Sequence, residues 1–522
     1  MATDYFEEIL EYLDENDKNT LYSCLLVNRF LCKVSVKFLW RNIWNFKLQS
    51  EAQRQIIRTL LTCLPNESKK LLHKEETIII PISETSKPPL FDYVSFFKAF
   101  SIDDFIIMIE FFIQKSTKST KSTKSAKSTK STKSGSSKNP NHLIRLNKSR
   151  NLLIEEILKM FISRTSLKIL NYTMNKRKIM KIPYDIMLTE FPGARDCLKN
   201  LIELRCINEV RPEVFYQLSQ VCHNIETIKI FGSLSHDNGM KKLIILQDNL
   251  KCLEVKKLHS SELNGILCSL NNKQLNTITK LHLKGINNLS SISFIIKFTN
   301  LQEFTLINYY DYNKVKLEEL NYVIFSKLRY FAIRYNIKSE ALLKFLENNG
   351  ENLEEFKHYS FRTSINKSIN LAVAKFCLNL KSLYARFEET NTVISILNSC
   401  QQLERICVYC VYWEGIDRIE ELTEVGVYCD TFRIEALEII KIIAKYSPKK
   451  FHELKLHGIN LLPKELETIF MIWEDRIPCK TLTLIIKSDV VKKEENMKVI
   501  EKYKKFVDVK YEKYEKYKEM EM

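Results

Sequence analysis

Few residues in this chain have the type and spacing to do chemistry. Cys407 and Cys410 form its one C-x-x-C. A zinc site would need two further ligands at matching spacing, and none lies near. On or beside a strand the two thiols point to opposite faces. The sequence holds no glycine-rich phosphate loop, no His-Glu-x-x-His and no nucleophile elbow. It is expected to be no enzyme and to use no cofactor or metal. What remains is recognition chemistry. Tyr330, Arg334, Lys357, Tyr359, Tyr384, Arg386, Arg405 and Tyr409 combine aromatic area with cationic groups. Tyr and Arg are enriched in interface hot spots. The set suits an acidic or phosphorylated protein segment, held by charge-assisted and bidentate hydrogen bonds. A mixed, solvated sheet face is the other reading of the same residues.

A repeat positions them. From about Leu201 to about Leu484 an apolar triplet recurs: apolar, two residues, apolar, one residue, apolar. It reads Leu201-Leu204-Cys206, Ile225-Ile228-Ile230, Leu250-Leu253-Val255, Ile278-Leu281-Leu283 and Leu301-Phe304-Leu306. It goes on as Leu328-Phe331-Ile333, Leu353-Phe356-His358, Leu380-Leu383-Ala385, Leu403-Ile406-Val408, Phe451-Leu454-Leu456 and, degenerate, Cys479-Leu482-Leu484. Successive triplets start 23 to 28 residues apart, with one double interval of 48. Such a period is the sequence sign of a leucine-rich repeat. The last two apolar residues lie two apart and share one face of a strand. Stacked units would form a parallel concave sheet with helices on the convex side. Lys338 to Glu347 and Glu435 to Lys445 have the helical spacing for that side. The repeat's usual Asn/Cys ladder position reads as mostly missing. The Tyr and Arg residues above are strand neighbours of the triplets and so should line the concave face. Tyr412 to Thr431 reads as an insertion.

The chain has 522 residues, 45% of them apolar, and a net charge of +17. That charge would raise nucleic acid as a partner. Eight lysines (Lys115, Lys118, Lys121, Lys124, Lys127, Lys130, Lys133 and Lys138) sit in one acid-free Lys/Ser/Thr tract, and without those eight the charge drops to +9. The tract cannot offset its ordering entropy and reads as disordered. Of the fourteen cysteines, most, such as Cys24, Cys206 and Cys377, occupy apolar positions. Met1 to Glu8 is acidic and does not read as a signal peptide. A reducing, cytoplasmic or nuclear location is expected. The longest apolar run, Phe105 to Ile113, is too short for a membrane span and is broken by Glu110.

At the N-terminus Phe6, Ile9, Leu10 and Leu13 share one helix face. Asp4, Glu7 and Glu8 stand in the first turn, where they favour the helix dipole. Thr20 to Val27 and Asn28 to Trp44 complete a small three-helix unit. Three of its stretches, Glu8-Ile-Leu-Glu-Tyr-Leu13, Leu25-Leu-Val-Asn-Arg29 and Leu39-Trp-Arg-Asn-Ile43, resemble an F-box in order and spacing. With the repeats behind it, the chain resembles the F-box/leucine-rich-repeat proteins of the expanded fungal kind. The resemblance implies docking on the Skp-type adaptor of a cullin–RING ubiquitin ligase, with the repeats holding a protein substrate. It also implies adaptor contacts from Phe6, Ile9, Leu10, Leu13, Leu25, Leu26, Val27, Leu39 and Trp40. Two departures stand out. Ala2-Thr3 replaces the family's Leu-Pro, which normally touches the adaptor, and Phe30-Leu31 replaces a Trp after the Arg.

The expected organisation is α/β. An F-box (1–46) leads to a helical linker (47–114), the Lys/Ser/Thr tract (115–138) and a helical lead-in (139–197). A leucine-rich-repeat solenoid (198–488) and a charged C-terminal helix (489–522) follow. The function read from this is a non-catalytic substrate adaptor of a Skp–cullin–F-box ligase. The alternative is a ligase-independent protein- or RNA-binding scaffold. In the leading reading neither nucleic acid nor membrane is a partner. Excising Lys115 to Ser137 should leave the thermal midpoint unchanged within about two degrees, the size of a neutral surface change; a clear drop in a melting curve would show that the tract packs.

Overall fold

Why the chain folds as it does is visible in its parallel strands. The computed structural model describes residues 2–11, 18–45, 49–74, 89–124, 140–172, 186–207, 210–232, 238–286, 289, 291–308, 318–334, 339–359, 363–409, 425–476, 480–488 and 494–513. Two compact units divide the chain: Met1–Leu250 with Ser269–Gln274, and Lys251–Cys268 with Leu275–Met522.

The first unit opens with helices α1 (Ala2–Glu11), α2 (Lys18–Val27) and α3 (Arg29–Arg41). It then carries strands β1 (Ala99–Ser101), β2 (Ile169–Tyr172), β3 (Glu203–Ile207) and β4 (Thr227–Phe231). These pair in parallel in chain order. The register aligns Phe100 with Leu170 and Leu170 with Leu204. Two further triplets therefore precede the predicted start, Phe97-Phe100-Ile102 and Leu167-Leu170-Tyr172, and all six side chains are buried. They escape a periodic reading because they start 70 residues apart, with helices 102–124 and 140–164 between them.

The second unit continues with β5 (Cys252–Lys256), β6 (Lys280–Lys284), β7 (Glu303–Ile307), β8 (Tyr330–Arg334) and β9 (Glu355–His358). β10 (Ser382–Ala385), β11 (Arg405–Tyr409), β12 (Glu453–His457), β13 (Leu482–Ser488) and β14 (Val507–Lys513) follow. All pair in parallel in chain order. Phe304, Phe331 and Phe356 point inward from three successive strands and stack at 5.6 and 5.8 Å. Phe345, from helix Ser339–Asn349, closes on Phe331 at 4.4 Å. The helices thus cover the triplet face, as predicted, and the opposite face carries the alternate residues.

Two expectations are corrected. The last triplet slips by two residues: Leu484 and Ile486, not Leu482 and Leu484, align with Leu454 and Leu456. Both Leu482 and Leu484 are buried on the same face, so parity alone could not reveal the slip. The C-terminal stretch is not one charged helix: helix Glu494–Tyr503 is followed by β14, a further parallel strand. Ahead of several triplets, three or four residues before the first apolar residue, a Gln, Asn or Cys side chain bonds to buried backbone. Gln247 accepts from Ile225 N at 2.8 Å and donates to Cys222 O at 2.9 Å. Asn349 accepts from Phe325 N and donates to Val323 O. Cys222 donates its thiol to Leu198 O and Cys400 to Cys377 O. These groups satisfy carbonyls and amides buried where a helix turns into a strand. Burial pushes the Cys222 and Cys400 thiols up to about 12.

The helix from Ile102 runs to Lys124, ten residues into the Lys/Ser/Thr tract, and residues 125–139 lie outside the described ones. The cleaner excision is therefore 125–138. Helix Val425–Tyr446 contains the predicted Glu435–Lys445 and reaches back into the expected insertion; residues 410–424, which include Cys410 and the insertion's first part, lie outside the described ones. No described helix is long and apolar enough to cross a membrane.

His358 occupies an inward triplet position, where burial drives its pKa from 6.5 down to about 4. Between those values an unfolded chain binds a proton that the folded one does not, so stability falls as pH falls through that window. From pH 7 to pH 5 this one ring should remove about 2 kcal/mol. In His358→Leu the loss measured by urea unfolding at the two pH values should shrink by about that amount; an unchanged loss would clear His358 of the effect.

Candidate adaptor-docking and ligand-recognition surfaces

The first three helices form a small core of Leu10, Leu21, Val34 and Leu39, flanked by Leu25, Phe38 and Trp40. Asn28 begins α3 as its N-cap: its side chain accepts from Leu31 N at 2.8 Å. Lys37 pairs with Glu7 at 2.5 Å, tying α3 to α1. Trp40 turns toward the rest of its unit and packs on Tyr93 at 4.5 Å and Phe97 at 5.7 Å. Trp44 donates its indole N–H to Ala99 O, anchoring the segment at β1.

This packing sorts the predicted adaptor contacts. Leu10 and Leu39 are buried inside the segment and Trp40 is engaged by its own chain, so these three are corrected to structural residues. Leu25 is half-buried, and Leu13 lies outside the described residues. Phe6, Ile9, Leu26 and Val27 are exposed, Leu26 by 88%. Tyr5, Tyr22 and Phe30, which the motif did not single out, are exposed beside them in sequence. Phe6 and Phe30 meet edge to face at 5.5 Å. Seven large apolar side chains thus stand exposed on a segment of about 30 residues.

On the face of the second unit opposite the described helices, the predicted recognition residues all fall on the expected side. Tyr359, Tyr384 and Tyr409 come together, with ring centroids 4.5 and 4.8 Å apart along the series. Tyr409 donates to His358 O at 2.9 Å, and the Tyr384 hydroxyl lies 3.1 Å from His457 Nδ1. These bonds fix the rings as a half-exposed platform. Lys357 pairs with Glu355 at 2.9 Å and lies over the Tyr330 ring at 5.2 Å. Burial opposes the Lys357 charge, but Tyr330 and Glu355 outweigh it and its pKa rises. Burial raises the Tyr330 phenol.

Two predicted contacts do not stand in solvent. Arg334 is 5% exposed and Arg386 7%, whereas Arg405 is exposed at the other end of its strand, away from the platform. Sequence reasoning missed His457. Its strand joins β11 across the 48-residue interval, so only the register of Tyr409 with His457 brings it to the platform. It also missed His282, whose Nδ1 meets Thr305 Oγ1 at 2.8 Å and which burial holds down at about 4. Among the described residues no cluster of His, Cys, Asp and Glu could hold a metal.

Repeated strand-and-helix units in parallel register, with one apolar triplet per strand, define a leucine-rich-repeat-like architecture in each unit. No family model matches the chain, and no curated protein matches it. Among solved structures it is similar to the leucine-rich-repeat-containing protein LegL7 from Legionella pneumophila, at 12% identity and a TM-score of 0.31, over 61% of this chain and 94% of that one.

Reversing Arg334 to Glu should place an unmatched carboxylate in a buried position and cost about 3 kcal/mol or more. Arg405→Glu should stay within about 0.5 kcal/mol. Denaturant unfolding of the two variants checks the contrast, and equal stabilities would contradict the burial of Arg334.

Proposed function

We propose that the chain is the substrate-recognition subunit of a Skp–cullin–F-box ubiquitin ligase. In this reading α1 to α3 dock on the Skp-type adaptor, and through it on cullin and RING subunits. The repeats hold a protein substrate on the face opposite the described helices. The chain contributes binding and placement, and transfer chemistry belongs to other subunits. The observation that carries the proposal is the exposed apolar set Tyr5, Phe6, Ile9, Tyr22, Leu26, Val27 and Phe30, on the segment whose sequence resembles an F-box. A monomer has no use for so much exposed apolar surface on so small a unit. The half-exposed tyrosine platform supports the second part, since rigid aromatic area is typical of interface anchors.

The test is capture of recombinant Skp-type adaptor by the full chain. Leu26→Asp with Val27→Asp should reduce capture at least tenfold, about 1.4 kcal/mol. Because both side chains are exposed, the thermal midpoint should not move. Capture that survives the double change, or is absent from the wild type, would replace the ligase reading by a ligase-independent scaffold.

A further inference from the structure

Register sorts the face of the second unit opposite the described helices into columns that run across the strands. One column follows the C-terminal ends of the strands. Lys256 stands beside Lys284, and Ile307 beside Arg334. One residue further along the same ladders, Tyr359, Arg386 and Tyr409 continue it. His457 and Lys487 carry it through β13. From β5 to β13 this column contains five cations and no acid. The column at the N-terminal ends is mixed: over the same strands it holds Glu303, Glu355 and Glu453 against Lys280 and Arg405. On β14 the two columns end on Glu512 and Asp508. The face is therefore basic along the C-terminal ends of its strands and close to charge-balanced along the N-terminal ends.

We infer that this face binds an acidic peptide segment, seated on the Tyr359–Tyr384–Tyr409 platform and running across the strands along the cationic column. The inference rests on the reading above that the face captures a protein ligand. Neighbouring strands lie about 4.8 Å apart, so Arg334 and Arg386, two strands apart, are separated by about 10 Å. Three residues of an extended peptide span about the same distance. Asp, Glu or phosphorylated residues at every third position would thus meet successive arginines. The cations need not be widely exposed to act. Lys256, Arg334, Arg386 and Lys487 are all buried, and charges in that setting are screened less by salt than surface ones. Lys284 stands in the same column with its ammonium 3.1 Å from Glu254. Burial opposes ionisation of Glu254, yet Lys284 and Lys256 hold it below the usual range. A peptide is favoured over nucleic acid because the tyrosine rings pack on one another at 4.5 and 4.8 Å, which leaves no gap between them for a base to enter.

The experiment is fluorescence anisotropy on the full-length chain with three labelled probes. One is a dodecapeptide with Glu at every third position among Gly and Ser. The second has Gln in place of Glu, and the third is a twelve-residue oligouridylate. The Glu peptide should bind at least about tenfold tighter than the Gln peptide, and most of the advantage should survive a rise in salt from about 50 to about 300 mM. Arg334→Gln with Arg386→Gln should abolish the preference. Since buried changes can unfold the chain, Lys284→Gln with Tyr359→Ser is the second variant. With an unchanged melting curve, it should weaken the Glu peptide about fivefold or more. Equal binding of the two peptides overturns the inference, and so does tighter binding of the oligouridylate. Adaptor capture measured on the same preparations separates the two readings. Its loss with the Glu preference kept removes the ligase and leaves this inference standing. Strong capture without the preference removes this inference alone.

Discussion

A single strand-and-helix unit cannot cover its own apolar face, and the rest of the structure follows from that. Leu204, Ile228, Leu253, Leu281, Phe304, Phe331, Phe356 and Leu454 are each shielded completely from solvent. Burial of apolar area is the main stabilising term and has no direction of its own. Direction comes from the strand ladder, which holds successive triplets in line. The stacked rings of Phe304, Phe331 and Phe356 show the two effects acting together. Each repeat is stable because its neighbours exist, as in quasi-one-dimensional proteins generally.

Stacking also buries polar atoms, and the chain has a local answer for them. Where a helix ends and the chain turns toward the next strand, a Cys, Gln or Asn side chain bonds to backbone that would otherwise lose its partner. Gln247 and Asn349 each accept from one amide and donate to carbonyls across the turn. Cys222 and Cys400 do a weaker version of the same work with a thiol. Their raised pKa values keep them protonated donors and make them poor nucleophiles. These two cysteines thus serve the repeat. His282 and His358 are a different compromise: buried imidazoles that stay neutral, at the expense of stability in acid.

Since the triplets fix one face, the residues between them are free to vary, and recognition chemistry collects there. The N-terminal helices follow the opposite logic. Their core uses few side chains, Leu10, Leu21, Val34 and Leu39, and leaves Leu26, Val27 and Ile9 in water. A unit so small cannot bury all the apolar surface it carries. In the proposed reading, one surface meets its partner through apolar area and the other its ligand through charge and aromatic contact.

Much of this was legible in the amino-acid sequence. Triplet spacing determined the strands from β3 to β12, their inward faces, and the side on which Tyr330, Tyr359, Tyr384 and Tyr409 stand, because a period of two leaves little freedom once one face is apolar. The start of the N-terminal helices was legible too, through Asn28 and the apolar spacing of α1. Tertiary structure decided the rest, wherever the answer depended on what lies beside a residue in space. The strands β1 and β2 stand far from the periodic run, and β14 lies beyond it in a charged stretch, so only pairing exposes them. The two-residue slip at β13 preserves parity and is settled by hydrogen-bond register alone. Arg334 and Arg386 occupy outward positions yet are buried, because exposure depends on neighbours that sequence spacing does not contain. The cationic column is likewise absent from any one strand. It exists because parallel register brings residues dozens of positions apart into one line.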